Sequence, residues 1–336
     1  MNTTAPPIPN STTERVWESA VPPGLQFFLG VVGNLISIAV LLMSRNRHKW
    51  KPFYKLVFGL ALTDGGGILA VYPIVMMRYA SDFTYKFPKP ICDYSSFIFT
   101  FTPMSSALIV CAMSFDRFVA ILYPFKYNVA GKERRTNITL ISIWIFSTFV
   151  SSLHLMGLGS SYNYYPGSWC FLNFVGKSTL DRVNSFIYSI LGNVILITTI
   201  TLNLFVIVTI CKNLRASKRG LNRKVKKSDV FNMILLLVIV VAFTICWIPL
   251  ISIIFAHATL WMEEYGPREL LVVRFAVSNS IVDPWIYILL RKENLRILQK
   301  RCGSGGGGFC GKLNLTTDSS NQEATPSSFS MQSRSK

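Results

Sequence analysis

Arg274 and Asp283 stand inside an apolar run, "LLVVRFAVSNSIVDPWIYILL", long enough to cross a lipid bilayer. A charge centred in hydrocarbon costs roughly 2.5–3.5 kcal/mol on insertion scales, so each needs a partner, a cavity or the membrane edge. Asn279, Asp283 and Tyr287 recur at i, i+4 and i+8 and share one helix face, beside Pro284, which lacks a backbone donor. Asp64 in "LALTD", Asn34 in "GVVGNL" and Ser106 are the polar residues of three other apolar runs. Two acids at similar depth repel unless one is protonated or a cation lies between them. Asp116-Arg117 closes the run "CAMSFDRFVAIL". For Arg117, as for Arg274, the plain alternative is an arginine reaching up to the lipid headgroups.

Other chemistry finds little support. His48, His154 and His257 show no metal-ligand spacing, and neither a phosphate-binding glycine loop nor a nucleophile elbow is present. No enzyme, and no bound metal, is expected.

The elements that must position these residues follow from composition. Hydrophobic residues make up 51% of the 336 and charged ones 15%, a membrane-protein balance. Seven windows can span a core ~30 Å thick: approximately Gly24–Met43, Phe53–Tyr79, Tyr94–Leu122, Thr136–Leu155, Val183–Cys211, Ser228–Phe255 and Leu270–Leu290. The fold expected is all-α, a seven-transmembrane-helix bundle over 24–290. The run Gly65 to Gly67 reads as a single break beside Asp64. There is no internal repeat and no matched pair of broken spans, as a transporter with inverted halves would need.

The net charge of +18 falls in alternate connections: Arg45 to Lys55, Lys126 to Arg135 and Lys212 to Lys227. That pattern places those connections in the cytoplasm and speaks against nucleic acid as the partner. The N-terminus, 1–23, is then extracellular, with Asn2 and Asn10 in glycosylation sequons and no cleaved signal peptide expected. Asn137 and Asn314 match the sequon on the wrong side. Of seven cysteines only Cys92 and Cys170 fall on the outer side, where disulfides persist, and they are expected to pair. "RKENLRILQKRC", within 291–302, reads as a short amphipathic eighth helix on the membrane surface, with Cys302 a palmitoylation candidate and Cys310 a weaker one. Residues 303–336 are rich in Gly, Ser, Thr and Asn and read as a disordered cytoplasmic tail.

Asn34, Asp64, Asp116-Arg117, Trp144, Cys246-Trp247-x-Pro249 and Asp283-Pro284-x-x-Tyr287 stand in order in the first four, the sixth and the seventh spans. From Gly24 to Cys302 the chain thereby resembles the rhodopsin-like family of G-protein-coupled receptors. "YPGSWCFLN", Tyr165 to Asn173, Arg274 nine residues before Asp-Pro-Trp, and a fifth span without a central proline resemble its prostanoid receptors. That resemblance implies a prostaglandin ligand, its carboxylate taken by Arg274 with Tyr79, Ser168 and Trp169 as helpers. The family commonly has threonine where Ser168 stands; the hydroxyl is kept. It also implies a plasma-membrane location, a heterotrimeric G protein as partner, arrestin and receptor kinases behind it, and a surround of membrane lipids. Asp116, Arg117, Trp247, Pro249, Asp283, Pro284 and Tyr287 would carry activation. Asp64, Ser106, Asn279 and Asp283 would enclose a sodium ion or hold a shared proton, with no other cofactor implied.

"FYKLVFGLALTD", "ICDYSSFIF", "MGLGSS" and "DPWIYILLRK" resemble the prostaglandin E receptors that raise cyclic AMP through the stimulatory G protein. Trp247 departs from them, standing where they usually have serine and matching the calcium-raising and inhibitory members. Those couplings remain the alternative, as does a receptor for another lipid acid or a peptide.

Overall fold

The computed structural model of the chain describes residues 19–43, 52–127, 131–218 and 227–289. Asn2, Asn10, Cys302, Cys310, the expected surface helix and the tail lie outside the described residues. In hydrocarbon every backbone N–H and C=O must be satisfied within its own segment, and the apolar runs accordingly form helices. In chain order these are α1 (Val21–Met43), α2 (Pro52–Ala80), α3 (Lys89–Leu122), a short α4 (Pro124–Tyr127), α5 (Lys132–Ser152), α6 (Thr179–Lys218), α7 (Lys227–Ala258) and α8 (Gly266–Leu289). α1 packs on α2 and α8, α8 on α7, α7 on α6 and α6 on α3, which also holds α2 and α5.

Six of these helices, α1, α2, α3, α6, α7 and α8, are long and apolar enough to cross a membrane. α5, the expected fourth span, has the length at 21 residues but carries a charged first turn and several serines and threonines. It turns Ile138, Ile141, Ile145 and Phe149 outward and buries Ser147 and Ser151. That inversion runs through the whole bundle. Leu35, Leu62, Ile145, Ile197, Leu204 and Ile245 are exposed, while Asn34, Asp64, Ser106, Asn203 and Asp283 are buried. A surface this apolar suits lipid contact.

Two sequence expectations are corrected. α2 runs unbroken through Gly65 to Gly67, so these glycines are not a break. They let neighbours approach: a Cβ at Gly65 would lie 2.8 Å from Asn34 Cβ, and one at Gly67 2.2 Å from Thr102 Oγ1. Within the all-α bundle expected, one connection between spans forms a short hairpin. β1 (Ser161–Tyr164) and β2 (Trp169–Leu172) pair antiparallel, with Ser161 opposite Leu172 and Tyr164 opposite Trp169. The fourth span ends at Ser152, three residues earlier than expected.

The hairpin carries a core of its own. The Tyr164 ring stacks on Trp169 at 4.5 Å and on Phe174 at 4.7 Å between centroids. Its hydroxyl donates to the Leu172 carbonyl and accepts from the Phe174 amide, both at 2.9 Å. Burial pushes that phenol well above its ordinary pKa, so it stays neutral and can make both bonds. The Cys92–Cys170 disulfide, with Cα atoms 5.3 Å apart, ties β2 to the first turn of α3.

Candidate functional site

Three of the residues singled out in sequence meet beneath the hairpin. Tyr79, on the last turn of α2, receives hydrogen bonds at its hydroxyl from Arg274 Nη2 of α8 at 3.3 Å and from Ser168 Oγ at 3.4 Å. Trp169 packs edge-on against Phe99 of α3 at 6.5 Å, and its indole N–H donates to the Tyr165 carbonyl at 2.9 Å. α8 closes against the same hairpin, since a Cβ at Gly266 would fall 2.4 Å from that of Tyr165. A guanidinium, a phenol and a hydroxyl thus converge on one point, all suited to hold a carboxylate.

Sequence reading missed the support for this cluster. Gln26 of α1 donates to the Arg274 carbonyl at 3.0 Å and accepts from the Tyr72 hydroxyl at 2.9 Å. Tyr72 and Tyr79 are seven apart on one face of α2, a spacing the sequence offered. Arg78 was also missed. It donates to the Tyr85 carbonyl, lies over the Phe83 ring at 5.5 Å and abuts Gly167 of the hairpin, with its Nε buried and without a hydrogen-bond partner.

Below Trp169 a cavity of about 30 Å³ is lined by Tyr72, Phe99, Thr102, Phe243 and Trp247 among others. That is room for little more than one water. A ligand with a hydrocarbon chain has to spread these side chains, Trp247 included. Trp247 is fully buried against Phe243, ring centroids 5.0 Å apart, two residues before the proline inside α7, Pro249.

The deeper acids form a second site. Asp64 Oδ1 accepts from Ser106 Oγ at 2.6 Å and from Ser280 Oγ at 2.7 Å, and Asp283 Oδ2 accepts from Asn279 Nδ2 at 3.0 Å. Ser280 went unnoticed in sequence. Pro284 explains its place: lacking an N–H, it cannot serve the Ser280 carbonyl four residues back, and Asn34 Nδ2 donates there instead at 3.0 Å. Asp283 lies nine residues beyond Arg274, roughly 13 Å along the helix axis, and so belongs with Asp64 rather than with the arginine. Asp64 Oδ2, Asn279 Oδ1 and Asp283 Oδ1 are buried without a hydrogen-bond partner. Three unspent oxygens around two carboxylates are a fitting donor set for a small hard cation.

At the opposite end of α3, Arg117 binds Asp116 Oδ2 through Nε at 3.0 Å and through Nη2 at 2.5 Å. Tyr127 of α4 donates to Asp116 Oδ1 at 3.1 Å and accepts from Arg117 Nη2 at 3.4 Å. Arg117 also lies over the Phe53 ring at 5.0 Å and is only 7% exposed, so it does not simply reach for headgroups. Trp144 Nε1 donates to Thr63 Oγ1 at 2.9 Å, fastening α5 to α2. Tyr287 is buried on α8.

Known proteins resemble the chain in sequence and in fold. The model of the 7 transmembrane receptor (rhodopsin family) matches residues 33–287. The chain is 30% identical to the prostaglandin E2 receptor EP4 subtype of Rattus norvegicus, over 97% of this chain and 76% of that one. It is also 30% identical to the thromboxane A2 receptor of Homo sapiens, over 81% and 83% respectively. Squid rhodopsin superposes with a TM-score of 0.70 at 18% identity, covering 88% of this chain and 87% of that one, a likeness of fold.

Proposed function

Because the chain belongs to the rhodopsin family of seven-transmembrane receptors, and within it to the prostanoid receptors, we propose that it binds prostaglandin E and raises cyclic AMP through the stimulatory G protein. The observation that carries the ligand class is the convergence of Arg274, Tyr79 and Ser168 under the hairpin. Prostaglandin E is favoured within the class by a relative named for prostaglandin E2. A second reading, calcium mobilisation or cyclase inhibition, is favoured by Trp247 and by the thromboxane A2 relative. The deciding experiment is a panel of prostaglandins on transfected cells with cyclic AMP and calcium read together. Calcium without cyclic AMP would select the second reading, and silence to every prostanoid would reject both.

In this reading the N-terminus, with Asn2 and Asn10, faces outside the plasma membrane, and the Arg117 end meets the G protein and then arrestin and receptor kinases. Ligand carboxylate binds at Arg274 while its chain pushes between Phe99 and Trp247. Movement of Trp247 shifts α7 at Pro249, and the Arg117 end opens. Tyr127 restrains that end through its hydroxyl. Tyr127→Phe removes a bond to a charged partner worth about 1.5 kcal/mol at the lower edge. Basal signalling should rise about tenfold at equal surface expression, and unchanged basal signalling would leave Tyr127 a bystander.

Asp64, Ser106, Asn279 and Asp283 would hold a sodium ion, which lessens the repulsion between two buried acids and favours the resting arrangement. Agonist affinity should then be at least ~5-fold lower in sodium than in N-methylglucamine buffer, the lower edge of ordinary coupling between sites. Asp64→Asn should abolish that difference. The same difference persisting in Asp64→Asn would place the sodium effect elsewhere, and no difference in the wild type would leave a shared proton between the two acids.

A further inference from the structure

A cleft of about 230 Å³ opens beside the Arg117 end, between α2, α3, α4 and α5. Leu56, Ala112, Phe115 and Val119 make its apolar wall, and Lys132 and Arg135 stand at its rim. Those two cations are three residues apart on α5 and so share a helix face. The Lys132 ammonium sits 4.3 Å from the centre of the Tyr127 ring, which holds the charge over the opening. Of the acids nearby, Asp116 is held by Arg117, and Glu133 is drawn toward Lys55 at 3.5 Å. Phe115 is 57% exposed, so the cleft gives onto the lipid-facing surface.

We propose that this cleft binds an anionic phospholipid of the surrounding leaflet, its phosphate at Lys132 and Arg135 and one acyl chain along Phe115 and Val119. The volume is below the roughly 300–1,000 Å³ of pockets that enclose a whole small ligand. It suits a headgroup and the first methylenes of a molecule whose remainder stays in the bilayer. Basic pockets between spanning helices are a recurrent way of holding acidic headgroups at the cytoplasmic face, and the location rests on the orientation proposed above. Tyr127 and Asp116 form part of the lining, so occupancy bears on the same contact that restrains Arg117.

The test is lipid retention by the purified receptor, read by native mass spectrometry with phosphatidylserine and phosphatidylcholine as equal competitors. It requires no prostaglandin, so its failure is separate from failure of the ligand reading. Wild-type receptor should retain phosphatidylserine at least fivefold over phosphatidylcholine. Lys132→Ala with Arg135→Ala should remove that preference. Thr139→Trp, an exposed position on the cleft wall, should reduce retention by obstruction without a change of charge. Arg134→Ala with Lys212→Ala, two exposed cations outside the cleft lining, should leave retention intact. An equal loss in both double variants would reduce the effect to diffuse surface charge and overturn the proposal. So would a cleft-obstructed or Lys132/Arg135 variant that retains phosphatidylserine like the wild type.

Discussion

Arg274→Ala should lower the affinity for a prostaglandin carrying a free carboxylate by well over tenfold. The guanidinium stands where α2, α8 and the hairpin meet, with the Tyr79 hydroxyl at 3.3 Å. A carboxylate arriving there exchanges its water for charge-assisted bonds in a partly dry pocket. Removing the cation leaves the acid buried without its partner, a loss of about 2–5 kcal/mol. At 1.4 kcal/mol per factor of ten, even the lower figure exceeds tenfold. The neutral methyl ester separates an ion pair from a packing effect: it should bind wild-type receptor weakly and the Arg274→Ala variant about as well. Tyr79→Phe should follow in the same direction with a smaller loss, since a neutral hydrogen bond contributes about 1 kcal/mol. If acid and ester bound the wild type equally, Arg274 would be an arginine at the membrane edge and the carboxylate would have to be held elsewhere.

The seven helices were legible because hydrocarbon imposes one rule on backbone and length alike. Where the sequence misled, residue type had been read without its neighbours. Gly65 to Gly67 signal a break in isolation, yet in place they are what allows α1 and α3 to approach α2. The hairpin was unreadable as strands because Ser161 to Leu172 shows no clean alternation; all four residues of β2 are buried. Its structure depends on the aromatic stack around Tyr164, a set of contacts that no spacing announces.

The site divides the same way. Arg274, Asp64, Asp283 and Arg117 announce themselves because a charge in a membrane needs a reason. Their partners are ordinary residues and carry no such signal. Ser280, Gln26 and Tyr127 matter through position alone, and only the fold brings them to Asp64, Arg274 and Asp116. Ser280 is the instructive case. It lies four residues before Pro284, where a helix proline orphans a carbonyl, so its backbone was marked in advance as a place for an outside donor. Asn34 supplies it.

Replacing Cys92 and Cys170 together by serine should cost about 4.5 kcal/mol of stability in the chain-entropy model for a closed loop of 78 residues. Changing both at once avoids leaving a lone thiol free to mispair. The hairpin should survive as a local unit, since the Tyr164 stack and the bonds to Leu172 and Phe174 do not pass through the disulfide. What it should lose is its anchor to α3, and with that the fixed placement of Ser168 over Tyr79. Two readouts therefore move together. The midpoint for thermal loss of monodisperse receptor in detergent should fall by at least ~5 °C, and ligand affinity should fall at temperatures where the receptor is still intact. The second distinguishes a positioning role from bulk stabilisation, because a merely less stable receptor binds normally until it unfolds. A double variant that melts earlier but binds with wild-type affinity when cold would mean that the hairpin seats itself without the disulfide, and that Ser168 reaches Tyr79 through the aromatic stack alone.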